Sequence, residues 1–186
     1  SVAHMGFVTL AIFSTNLQGL HGAIIQMISH GLISAALFFS IGSIYNRYKT
    51  KEIKYFSGLG NIMPKLSIFF LIFCLGSIGF PGTSAFVSEF LTLVAVFSQN
   101  TLVASIAALG IILSAAYMLL LYRKVFLGEV NKNVLQIKNE LNLNEIIAFS
   151  ILVLLIVLIG IKPNYLLDFS TASIERIILL YPITIF

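Results

Sequence analysis

The chain has 186 residues, 59% of them hydrophobic and 10% charged, with a mean hydropathy of +1.02, whereas soluble domains carry roughly 25% charge. That composition excludes a soluble globular protein and reads as an all-α integral membrane protein. The net charge of +4 comes from basic residues in short connections between apolar runs, a topology signal and no nucleic-acid footprint, and the single cysteine, Cys74, excludes a disulfide framework and a cysteine metal site.

Taken in order, the pattern predicts about five transmembrane helices and a C-terminal interfacial helix. The first span covers residues 1–16, is apolar apart from His4, and is closed by Asn16, Gln18 and Gly19. With neither an initiator Met nor a cleavable basic leader, the start reads as an interior point of a longer polypeptide or of a divided gene. A separate chain or segment would then carry the N-terminal half. The second span, 20–46, carries Gln26, His30 and Ser34 at intervals of four, one polar stripe on a helix face. At ~1.5 Å rise per residue His30 lies near mid-membrane, where an imidazole can exchange protons or be bonded into a bundle core. His21, beside Gly19 and Gly22, reads as interfacial, and the depth of His4 stays open.

A basic connection, 47–65, ends at Pro64, suited to a first helical position. Residues 64–98 form one span broken at Pro81-Gly82, and charge decides this reading against two spans. With one span, nine of the eleven basic residues fall on one face, with only Lys162 and Arg176 opposite. Glu89 follows the break and is the only formally charged residue between Lys65 and Arg123. A charge at mid-bilayer costs at least roughly 2.5–3.5 kcal/mol, so an intramembrane acid marks a functional site by default. A helix would give it small neighbours, Ala85, Ser88 and Thr92, with room for water. Its alternative role, a structural ion pair, needs a partner at similar depth, and only His4 and His30 qualify. The Pro81-Gly82 break itself resembles the discontinuous helices that leave unpaired carbonyls beside a cavity in transporters.

The fourth span, 101–124, is rich in small residues such as Ala104, Ala107, Ala108, Gly110 and Ser114, which predicts close packing inside a bundle. A short surface helix is expected around Val134, Leu135, Gln136 and Ile137. The fifth span, 145–161, is nearly pure aliphatic and reads as a peripheral helix without polar function. Residues 165–182 mix apolar positions with Asp168, Glu175 and Arg176, an interfacial amphipathic pattern. There is no phosphate loop, nucleophile elbow or metal-ligand cluster, so any redox centre would reside on a partner.

Three stretches carry a family resemblance: residues 1–6, with His4; residues 22–31, with Gln26 and His30; and residues 80–91, Phe80-Pro81-Gly82-Thr83-Ser84-Ala85-Phe86-Val87-Ser88-Glu89-Phe90-Leu91. Leu113-Ser114-Ala115-Ala116-Tyr117 and Tyr122-Arg123 extend it. With these motifs the chain resembles the C-terminal part of subunit 4 of the proton-pumping NADH:quinone oxidoreductase, respiratory complex I, in the antiporter-like subunit family. The resemblance implies a proton relay of Glu89, His30 and His4, with Gln26, Ser34, Pro81, Gly82 and Thr92 in support. Most relatives carry lysine where this chain has Glu89, and the family usually has glycine where this chain has Ser88. The resemblance also implies that no cofactor is bound by this chain, with NADH, FMN, iron-sulfur clusters and quinone on other subunits. Its implied partners are other complex I membrane subunits, with lipids such as cardiolipin. The implied location is the mitochondrial inner membrane, or a bacterial plasma membrane. Three other readings of the same residues are a subunit of a multisubunit cation/proton antiporter, a bis-histidine haem carrier built on His4 and His30, and a purely architectural subunit.

Overall fold

The computed structural model describes residues 1–131 and 140–180. The surface helix expected around Val134 lies outside the described residues. The described chain is helical, with α1 (Val2–Phe13), α2 (Leu17–Tyr48), α3 (Pro64–Ile78), α4 (Ser84–Phe97), α5 (Thr101–Phe126), α6 (Leu143–Ile161) and α7 (Asn164–Leu180). Two short 3-10 turns, Ile53–Tyr55 and Leu59–Asn61, lie between α2 and α3. Among these, α2, α5 and α6 are long and apolar enough to cross a membrane, while α1, α3 and α4 are shorter apolar helices.

α2 is the spine. Its start is fixed by Asn16, whose side-chain oxygen accepts from the Gly19 amide at 2.7 Å. Asn16 therefore opens α2 as much as it closes α1, and α2 begins earlier than the expected residue 20. α4 packs antiparallel against its first half, where Gly22 meets Thr92 and Ser88 donates a hydrogen bond to Gln26. α3 packs against the next stretch, with Gly76 against Ile33. α3 and α4 therefore follow α2 in succession, and together they cover the length that one uninterrupted helix covers.

The interruption is built by local rules. Gly79, at φ +75°, ends α3; the Phe80 amide bonds back to the Leu75 carbonyl and the Gly79 amide to the Gly76 carbonyl, the paired bonds of a Schellman cap. Phe80 to Thr83 then forms a hydrogen-bonded turn with Pro81 second and Gly82, φ +94°, third, as a type II turn requires. Thr83 also donates its hydroxyl to the Phe80 carbonyl. The carbonyls of Leu75, Gly76 and Phe80 are thus engaged, so the free carbonyls expected at the break are not these three.

The basic ends meet. Arg47, closing α2, makes a two-pronged pair with Glu145 at 2.9 and 2.7 Å and donates to the Glu140 carbonyl. Glu145 in turn completes the capping box of α6 with Asn142. Glu140 accepts from the Lys65 amide at the start of α3. An aromatic cluster of Phe69, Phe70, Phe73, Tyr122, Phe126 and Phe149 joins α3, α5 and α6. Outward lie large apolar side chains, Phe38, Ile68, Ile106, Ile112 and Leu154 among them, as a lipid-facing surface requires.

Two expectations change. The small residues of α5 face the bundle at Ala104 and Ser114, yet its Leu102, Leu109 and Leu113 are exposed, so α5 is not enclosed within the described residues. α6 is mostly exposed, as a peripheral helix should be, but not without a polar role, since its Glu145 pairs with Arg47; Phe149 and Ile156 are fully buried and Gly160 presses against the turn at Gly82. α7 packs on α2, turning Ser170 and Ile174 inward and leaving Phe169 outside, with Thr171 bonded to His21.

Candidate functional site

Glu89 lies in the second turn of α4 and is 4% exposed. Its Oε1 is 3.2 Å from Nδ1 of His4, which α1 brings in from the first turn of the chain. The same His4 nitrogen lies 3.4 Å from the amide nitrogen of Gln26, itself 1% exposed. The other ring nitrogen, Nε2, faces the Ser77 hydroxyl at 3.5 Å. Thus α1, α2, α3 and α4 each contribute one polar group to a buried cluster centred on His4.

The two neighbours of Nδ1 ask for opposite protonation. A carboxylate accepts and requires N–H; the Gln26 amide donates and requires a bare nitrogen. A proton on Nδ1 turns it to a Glu89 carboxylate, whereas a bare Nδ1 can accept from Gln26, or from Glu89 once that carboxyl is protonated. Gln26 is held in place by Ser88, which donates to its oxygen, and Ser88 is also bonded to the Ala85 carbonyl at 2.9 Å.

His30 stands next in line. Its ring centroid is 5.5 Å from that of His4, and its Ser34 neighbour, one turn on, lies 3.2 Å from its Nε2. His4 also borders the space on both sides. A cavity of about 490 Å³ between α1 and α5 is lined by His4, Glu89, Phe7, Gly110 and Ser114. Another of about 230 Å³ is lined by His4, His30, Ser34, Ser77 and Tyr117. Both exceed the ~30 Å³ share of one liquid water. With both His4 nitrogens turned to protein groups, the bis-histidine haem arrangement loses a ligand.

The structure thus brings together Glu89, His4, Gln26 and His30, with Ser34 behind His30. Thr92 sits apart: it donates to the Ser88 carbonyl and meets Gly22, and so holds α4 to α2. Pro81 and Gly82 are exposed and act through the backbone. Sequence reasoning missed Ser77, Gly79 and Gly160. Gly79 is the most direct of these, since a methyl group there would lie 2.5 Å from Oε2 of Glu89. Its place two residues before Pro81 was the available signal. Among the described residues no three histidine, cysteine or acidic side chains come together to hold a metal.

Residues 1–115 match the model of the NADH:quinone oxidoreductase/Mrp antiporter transmembrane family, so most of the chain, including every residue of the His4 cluster, falls inside the match. The chain belongs to this family. It is 47% identical over 179 residues to the NADH-quinone oxidoreductase subunit M of Rickettsia prowazekii, covering 96% of this chain and 36% of that protein. It is 44% identical over 178 residues to the NADH-ubiquinone oxidoreductase chain 4 of Marchantia polymorpha, with the same coverage of 96% and 36%. Among solved structures, respiratory complex I from Thermus thermophilus matches with a TM-score of 0.84 and 32% identity, over 92% of this chain and 37% of that one. The chain therefore spans about a third of the length of the curated relatives it matches. Such relatives and the apolar helices make it a multi-pass protein of an organellar inner membrane or a bacterial plasma membrane.

Proposed function

We propose that this chain supplies the exit-side half of an antiporter-like proton channel in the proton-translocating NADH:quinone oxidoreductase. The observation that carries this reading is the buried contact of Glu89 with His4, within reach of His30 and bordered by two cavities. Quinone reduction elsewhere in the complex drives charge changes along the membrane arm. Glu89 takes a proton when the cationic neighbour weakens and releases it when His4 is charged. Redox chemistry, with NADH, FMN, iron-sulfur clusters and quinone, belongs to partner subunits. The N-terminal half of subunit 4, carried by a separate chain or segment, completes the path. The membrane is the mitochondrial inner membrane, with the basic ends of α2, α3 and α5 on the matrix side and available to anionic lipid such as cardiolipin.

The test is Glu89→Gln in the assembled complex, with proton pumping and NADH oxidation measured together. Loss of most of the pumping per NADH is expected, with the complex intact. Undiminished pumping and oxidation would overturn the role. Sodium-dependent transport without NADH oxidation would instead assign the chain to a cation/proton antiporter, the other branch of the family named by its sequence match.

A further inference from the structure

Gly160 lies in the last turn of α6, a helix with no polar group near the His4 cluster. A methyl group on it would lie 2.5 Å from the Thr83 carbonyl carbon and 2.6 Å from that of Gly82, closer still to the Gly82 oxygen. Ordinary contact begins near 3.4 Å, and the obstructing atoms are backbone, so helix or turn would have to give by about 1 Å. By contrast, a methyl on Gly42 or Gly31 of α2 meets nothing within 4 Å. The approach at Gly160 is therefore specific to the break.

At Gly79 the same break meets the site. Gly79 leaves only enough room for Oε2 of Glu89. The break is thus in close contact with both α6 and the carboxyl group, and it leads directly into Ser84, the first residue of the helix that carries Glu89. At the far end α6 is fixed by the Glu145–Arg47 pair, fifteen residues from Gly160, or roughly 22 Å along the helix.

We infer that Gly160 is a positioning residue for the proton site: α6, anchored by Glu145 to Arg47, is a backstop that sets the depth of the broken turn and so the distance from Glu89 to His4. The inference rests on the role proposed for Glu89, but its geometric part can be tested apart from that role. Misplacing a positioned reacting group by about 1 Å costs up to ~10²-fold in rate. Without the backstop the turn is free to relax toward α6 or away from it, and His4 Nδ1 no longer sits 3.2 Å from Oε1.

The experiment compares Gly160→Ala with Gly42→Ala in the assembled complex. Infrared difference spectra are recorded over a pH titration, with the Glu89 carboxyl band identified by its loss in Glu89→Gln. Pumping per NADH is measured on the same samples. In Gly160→Ala the Glu89 band should move and titrate at a different pH, and pumping should fall roughly tenfold, while Gly42→Ala matches the parent. A Glu89 band and titration identical in the two glycine variants would overturn the inference. If Gly160→Ala does not assemble, Glu145→Ala releases α6 without adding volume; it should shift the same band in a complex that still oxidises NADH, and an unshifted band there would equally refute the backstop. If Glu89→Gln pumps normally while the band still moves in Gly160→Ala, the positioning stands and the proton-site reading falls.

Discussion

At the scale of single residues, the contact between His4 and Glu89 is more exacting than a buried ion pair. Nδ1 faces both the Glu89 carboxyl and the Gln26 amide, so whether it carries a proton decides which of the two it engages. Replacing His4 by Gln keeps a polar group of similar reach but removes the titratable nitrogen. Pumping per NADH in sealed vesicles should then fall as far as in Glu89→Gln, whereas Ser77→Ala, which removes only the hydroxyl at 3.5 Å, should cost far less. Ser88→Gly deletes the bond that holds Gln26. It should lower the melting temperature of the complex, since a buried amide oxygen loses its partner at about 1–3 kcal/mol, and should leave His4 facing Glu89. The acid and the polar stripe of His30 were legible in the sequence because charge and periodicity are visible there. The depth of His4 was not, because it depends on how α1 docks against α2.

Among the elements, the broken span shows best how local chemistry fixes a functional geometry. Its Schellman cap and type II turn follow from Gly79, Pro81 and Gly82, and each glycine holds a positive φ. The two glycines should nevertheless respond differently to alanine. Left-handed backbone costs a non-glycine residue about 1–2 kcal/mol. At Gly82 the added methyl meets open space, so the loss should be limited to that strain, with pumping kept. At Gly79 the same methyl collides with Glu89, so both thermal stability and pumping should fall; measuring the two together in each variant separates strain from displacement. The position of the break was legible from Pro81-Gly82. The role of α6 was not, since a glycine near the end of an aliphatic helix carries no signal until the facing backbone is in place.

Over the whole of the described structure, most of the basic groups gather at one end. Arg47, Lys65 and the Arg123-Lys124 pair lie where α2 and α5 end and α3 begins, and the connections there are bonded to each other through Gly58 and Leu127 and through Ser57 and Glu129. A cysteine introduced at exposed Lys51 should react with an impermeant thiol reagent from one side of the membrane only, the side that carries the ends of α2 and α5. Arg47→Ala should lower the melting temperature in detergent, since the half-buried Glu145 carboxylate loses its two-pronged partner, at about 1.5–3 kcal/mol for hydrogen bonds to a charged group. The charge-based choice of one broken span over two rested on this asymmetry and agrees with the way α3 and α4 follow α2. That the same ion pair also fixes the height of α6 could not be read from charge alone, because pairing across ninety-eight residues appears only when the helices are packed.

The capped break also bears on which ion can travel here. An alkali cation entering a low-dielectric region needs oxygen ligands to replace its water, and discontinuous helices supply them through unwound carbonyls. In this chain the Leu75, Gly76 and Phe80 carbonyls already accept hydrogen bonds from the chain itself. A proton needs no such shell, because it moves by changing which atom it is bonded to. With those three oxygens occupied, the entry to the turn favours a proton over an alkali cation, and replacing sodium with choline in the medium should leave transport through this half-channel unchanged.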